Sequence, residues 1–125
     1  MADELGTRVF LHGAAFDAPS RLRDFDIALV LGENQGCPNA VLEALAAGIP
    51  VVANDSGGTR EIVVHARTGL LLDGCDPAEI ADALSRVITD TGFARRIADA
   101  GRRRVHRQFS MRRMANAYRK LLRSR

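Results

Sequence analysis

Apolar residues along this chain fall into two rhythms, short unbroken runs and stretches where they recur every three or four positions. The runs read as strands. Residues 8–13, Arg8-Val9-Phe10-Leu11-His12-Gly13, form a short strand that a glycine stops. Residues 26–31, Asp26-Ile27-Ala28-Leu29-Val30-Leu31, are almost wholly apolar, which predicts a strand buried on both faces. Residues 50–54 and 68–72 give a third and a fourth strand. Between them the helical rhythm takes over. Residues 19–25 predict one or two helical turns. Residues 38–47 predict a helix with Pro38 in its first turn, Val41, Leu42 and Leu45 on its apolar face, and Gly48 at its end. Thr59 is placed to cap a short helix through Val64. Asp76 followed three residues later by Glu79 is a capping signal for a helix to about Thr89. Two more helices are expected near 93–107 and 111–123, the last capped by Ser110. Strands alternating with helices predict an α/β fold with a parallel sheet of about four strands and crossover connections.

Composition narrows the class. At 125 residues, 46% apolar and 26% charged, the sequence fits one soluble globular domain. Its apolar runs are too short to span a bilayer, and no N-terminal basic-then-apolar stretch reads as a signal peptide. Cys37 and Cys75 lie apart, with no clustered histidines, which disfavours a metal site and suggests a reducing, cytoplasmic compartment.

Charge changes the picture more. Residues 1–92 hold 6 basic and 14 acidic side chains, net −8, whereas residues 93–125 hold 12 basic and 1 acidic, net +11. A basic tail of this kind suits a phosphate-rich partner or a solvated helix face. The tail has only Phe93, Phe109 and Tyr118 for stacking, so nucleic acid is the weaker choice. A helix over 111–122 would carry Met111, Met114, Ala115, Tyr118, Leu121 and Leu122 as a modest apolar stripe. We expect that stripe to bury against protein, with peripheral contact at the inner membrane face as its alternative.

Candidate chemistry concentrates in Gln35-Gly36-Cys37-Pro38-Asn39-Ala40-Val41-Leu42-Glu43, where a strand hands over to a helix. Open α/β sheets bind ligands there, beyond the carboxyl ends of their strands. Gly36 permits close backbone approach. The first-turn amides of Asn39 and Ala40 can hold a phosphate oxygen, although Pro38 has no N–H to give. Glu43, one turn into the helix, can accept two hydrogen bonds from a vicinal diol such as ribose. Cys37 reads as a small loop residue, since no histidine lies near it in sequence. His65 and His106 read as surface residues and are assigned no chemistry, and His12, a lone histidine at a strand end, reads as structural.

Taken in order, residues 35–43, then Ala44-Leu45-Ala46-Ala47-Gly48-Ile49-Pro50-Val51-Val52-Ala53, Gly57-Gly58-Thr59-Arg60-Glu61 and Thr68-Gly69-Leu70-Leu71 resemble a known pattern. It is that of the C-terminal domain of the retaining glycosyltransferases of the GT-B fold with the Glu-x7-Glu motif, the group 1 glycosyltransferases. The resemblance implies a Rossmann-like, doubly wound domain binding a nucleoside-diphosphate sugar, with no metal or other cofactor. It implies that Glu43 is the ribose ligand and that Gly57-Gly58 borders the donor pocket. The first member of the carboxylate pair falls on Gln35, in the catalytic position. Glutamine keeps an oxygen but loses the charge, so family-type chemistry is in question there.

The family's glycine-rich opening strand, its diphosphate-neutralising basic residues and its N-terminal acceptor domain have no counterpart in residues 1–125. The expectation is therefore a single, truncated donor-binding domain over 1–125, in which residues 8–12 pair differently, stay loose or wait for another chain, and an open strand edge brings oligomerisation or limited stability. Three functions compete: a glycosyltransferase or a piece of one, a nucleotide-sugar-binding module without transfer, and a nucleic-acid or membrane-surface protein acting through residues 93–125.

Overall fold

A computed structural model describes residues 24–32 and 39–108. The expected strand at 8–12, the residues Gln35, Gly36, Cys37 and Pro38, and the helix at 111–123 lie outside them. Among the described residues the chain runs β1 (Ala28–Val30), α1 (Asn39–Ala46), β2 (Val51–Asn54), α2 (Thr59–Ile62), β3 (Leu70–Leu72), α3 (Pro77–Thr89) and α4 (Thr91–Gln108). The sheet order is β1-β2-β3, every pair parallel, with Leu29 opposite Val52 and Ala53 opposite Leu71. The α/β class and parallel sheet match the pattern of the sequence, with three described strands where about four were expected.

Parallel neighbours need a crossover, and here helices supply it on both faces. On one face Ala28, Val51 and Ala53 pack with Val41, Ala44 and Leu45 of α1, Ile62 of α2 and Val105 of α4. On the other, Val52 and Leu70 pack with Ala83 and Val87 of α3 and Phe93 and Ile97 of α4. Helix α4 thus contributes to both layers, and Gly101 marks its passage between them. A Cβ there would stand 2.7 Å from Leu45 Cδ2 and 2.9 Å from the Thr68 carbonyl oxygen, so the close approach demands glycine.

The helix ends follow from local chemistry. At the end of α1, Gly48 has φ +76°, and its N–H bonds the Leu45 carbonyl while that of Ile49 reaches the Ala44 carbonyl. Together these are the paired bonds of a left-handed helix stop. Asp76 Oδ1 accepts from the Ala78 N–H at 3.2 Å and Pro77 opens α3, as the sequence signal predicts. Asp90 ends α3 and also caps α4, its Oδ1 accepting from the Phe93 N–H at 3.0 Å.

Two expectations are corrected. Thr59 is not the cap of α2: Gly58 holds that position without a side-chain cap bond, and Thr59 is buried in the first turn. Its short side chain fills space under the helix instead of reaching back to an amide. The strand at 26–31 is not buried on both faces: Ala28 is buried, but Leu29 is 41% exposed and Leu31 39%. The reason is its place in the sheet. Among the described strands β1 pairs only with β2, and the helices of the second face lie over β2 and β3.

Candidate functional site

Because all three strands are parallel, their carboxyl ends share one edge, and the loops there are where an α/β sheet presents a ligand site. Residues 33–38 connect β1 to α1 at this edge and fall outside the described residues. The side chain of Asn54, the last residue of β2, is buried and spans to Gly32 beyond β1. Its Oδ1 accepts from the Gly32 N–H at 3.0 Å, and its Nδ2 donates to the Gly32 carbonyl at 2.7 Å. An amide side chain thereby extends the ladder one rung past the strands and fixes where the loop departs. The sequence offered one hint, a polar residue closing an apolar strand, since a buried amide must find partners.

Of the sequence-predicted site residues, Asn39 and Ala40 are the first two of α1, and both are exposed. Glu43 follows one turn later, exposed and turned away from the stripe of Val41, Ala44 and Leu45 that enters the core. Those three stand at one end of the edge. Beside them, past the central strand, Gly57 (φ +56°) and Gly58 form the turn between β2 and α2, closed by the Thr59 N–H donating to the Ser56 carbonyl at 3.2 Å. The positive φ makes glycine the natural occupant of position 57. Gln35, Gly36, Cys37 and Pro38 belong to the undescribed loop.

Two further residues hold the glycine turn. The Asp55 N–H donates to the Leu72 carbonyl, tying the loop to the end of β3. The Asp55 carboxylate then accepts from the Arg60 guanidinium, from Nε at 3.0 Å and also from Nη2. That pair bridges Gly57 and Gly58 from outside. Arg60 is largely exposed, so its electrostatic worth is small and its effect is positional. Behind α2, Arg104 donates from Nε to the Ile62 carbonyl at 3.0 Å and from Nη2 to the Glu61 carbonyl at 2.8 Å. A cation at these carbonyls complements the negative end of the helix. His65 is exposed as expected, yet its Nδ1 accepts from the Leu71 N–H at 3.0 Å, a structural task that sequence reasoning missed. Among the described residues no group of three or more His, Cys, Asp or Glu side chains is placed to hold a metal ion. No described helix is long and apolar enough to cross a membrane.

Comparison with known proteins places this geometry in a family context. The family model described as "Glycosyl transferases group 1" matches residues 2–104. A GDP-mannose-dependent alpha-(1-6)-phosphatidylinositol monomannoside mannosyltransferase of Mycobacterium tuberculosis is 41% identical over 75 residues, 60% of this chain and 20% of the relative. A D-inositol 3-phosphate glycosyltransferase of Salinispora arenicola is 40% identical over 87 residues, 70% of this chain and 19% of the relative. Among solved structures, Anabaena HepE with UDP and glucose superposes with a TM-score of 0.88 at 26% identity, over 98% of this chain and 34% of that one. Sucrose-phosphate synthase of Thermosynechococcus elongatus superposes with a TM-score of 0.85 at 28% identity, over 99% and 33%. The chain therefore spans about a fifth of these curated relatives and about a third of these structures.

Proposed function

The chain belongs to the group 1 glycosyl transferases, and on that premise we propose that it supplies part of the donor-binding domain of a hexosyltransferase using a nucleoside-diphosphate sugar with retention. The observation that carries this reading is the carboxyl edge, where the exposed Glu43, the first-turn amides of α1 and the Gly57-Gly58 turn flank one loop. In the proposed complex the Asn39 and Ala40 amides face the diphosphate and Glu43 accepts from the ribose hydroxyls. Gly57 and Gly58 border the sugar, and Gln35, Gly36, Cys37 and Pro38 line the donor side of the loop. No metal takes part in this scheme. Support for the ligand class comes from HepE, whose structures hold UDP with glucose and UDP-glucose. The relatives' names pull toward GDP-mannose for the base and sugar, so both donors belong in the test. We take residues 1–125 as one unit of the domain, with the acceptor held by further polypeptide or a second copy.

Calorimetric titration with UDP, GDP and their hexose conjugates tests the site. Glu43→Ala should weaken nucleotide binding by about 1–3 kcal/mol, the value of a charge-assisted hydrogen bond. Unchanged affinity in a folded variant would remove Glu43 from the site.

A second reading is favoured by one residue, Gln35, which stands where the family pattern has a glutamate. In that reading the chain binds nucleotide sugar without transferring it. We expect residues 1–125 alone to give no transfer from labelled UDP- or GDP-hexoses, because a departing diphosphate needs more electrostatic stabilisation than this edge offers. Turnover that disappears in Glu43→Ala would refute the expectation.

A further inference from the structure

Most basic residues of the described chain lie far from the edge just discussed. The loop 64–68 precedes β3, and its Thr68 carbonyl meets Gly101, so the C-terminal half of α4 sits at the amino edge of the sheet. There Val64, Arg67, Thr68, Arg102, Arg103 and His106 help to line an open cleft of about 710 Å³. Helix α4 buries Phe93, Ile97, Ala98, Gly101 and Val105, which leaves Arg95, Arg96, Arg102, Arg103, His106 and Arg107 on its exposed side with Asp99 as the one acid among them. From Arg95 to Arg107 that face is about 18 Å long at 1.5 Å per residue.

Three observations select its partner. The face is strongly positive while the described residues outside α4 hold 3 basic and 10 acidic side chains, net −7, so an anionic surface would attract α4 and repel that remainder, fixing one orientation. The face offers arginines without aromatic side chains for base stacking, which disfavours single-stranded nucleic acid. Finally, the opposite side of α4 is embedded in both core layers, so the helix presents its basic side chains as one continuous face fixed to the domain. A flat, polyanionic plane fits an embedded helix better.

We propose that the exposed face of α4, with Arg67 beside it, docks on the phosphate headgroups of an anionic bilayer. This surface is separate from the donor edge and does not depend on the donor reading. Docking at the amino edge leaves the carboxyl edge open to a soluble nucleotide. Each basic side chain near such a surface raises partitioning about fivefold.

The test is sedimentation of the full chain with vesicles of phosphatidylcholine alone or mixed with about 30% phosphatidylserine. We expect binding to the mixed vesicles only, released by 1 M salt, where the screening length falls to about 3 Å. Arg102→Gln with Arg103→Gln should weaken binding about 20-fold with an unchanged melting temperature. Should that pair fail to fold, Arg95→Gln with Arg103→Gln reads the same face. Wild-type binding to both vesicle types alike, binding that survives high salt, or a folded α4 variant that binds as the wild type would each overturn the proposal. So would tighter binding of a duplex DNA oligonucleotide than of the mixed vesicles at equal salt.

Discussion

Leu29 and Val52 stand opposite each other in adjacent parallel strands, on the same face of the sheet, and both come from unbroken apolar runs. Val52 is fully buried; Leu29 is 41% exposed. Nothing in the local sequence separates them. The difference is made by neighbours: among the described residues β2 has a strand on either side and α3 and α4 above it, whereas β1 has β2 on one side and no described helix over Leu29. A hydrophobic run reports what a strand can bury. What it does bury depends on its place in the sheet.

The largest effect should therefore fall on β2. Val52→Ser removes apolar volume from a closed layer and buries a hydroxyl, which should cost about 2–4 kcal/mol. Urea denaturation followed by circular dichroism would read it as a lower midpoint with an unchanged slope. A loss below about 1 kcal/mol would mean that the second layer is looser than its packing suggests.

Next comes the join between the two strands. Asn54 carries their contact past the last backbone pair through two hydrogen bonds to Gly32. Asn54→Ala leaves both Gly32 groups without that partner and should cost about 2 kcal/mol, the penalty of unmade bonds in a half-buried setting. The same variant should also weaken nucleotide binding if the donor reading holds, because Gly32 is where the loop to α1 begins. Donor affinity that stays constant while stability falls would separate the strand join from the site.

Asn54 also shows how far sequence reading reached. The helix ends were legible because their signals are local: Asp76, Pro77 and Gly48 act within a turn of themselves. Residues 50–54 were legible as a strand, and the order of strands and helices gave the fold class. On the site side, Glu43 and the glycine pair could be placed on a helix and a turn from spacing alone, and they stand there. The Asn54–Gly32 bond spans 22 positions and that of Arg104 to Ile62 spans 42, so neither could be read without knowing which elements meet. Thr59 misled because threonine before a helix is a good cap in isolation, while here the space under the first turn claims its side chain. Arg104 misled differently. It was counted in a basic tail, yet it serves the carbonyls of α2.

The smallest effect belongs to Leu29, and it is the sharpest form of the comparison. Leu29→Ser changes an apolar residue to a polar one in the same face and register as Val52. A scale that looks only at sequence would rank it with Val52→Ser, since both lie in apolar strands. With 41% of Leu29 already in water, the transfer lost is a fraction of the value for a fully buried leucine. An open face also relaxes without leaving a cavity, so the second part of the usual penalty is absent. Serine is a poorer strand former than leucine, which adds a few tenths of a kcal/mol at most. The sum should stay below about 1 kcal/mol, and solubility should rise as the exposed apolar surface shrinks. A loss of 2 kcal/mol or more, dependent on protein concentration, would show that a second copy covers Leu29 in solution. The contrast between the two strands would then belong to the monomer alone.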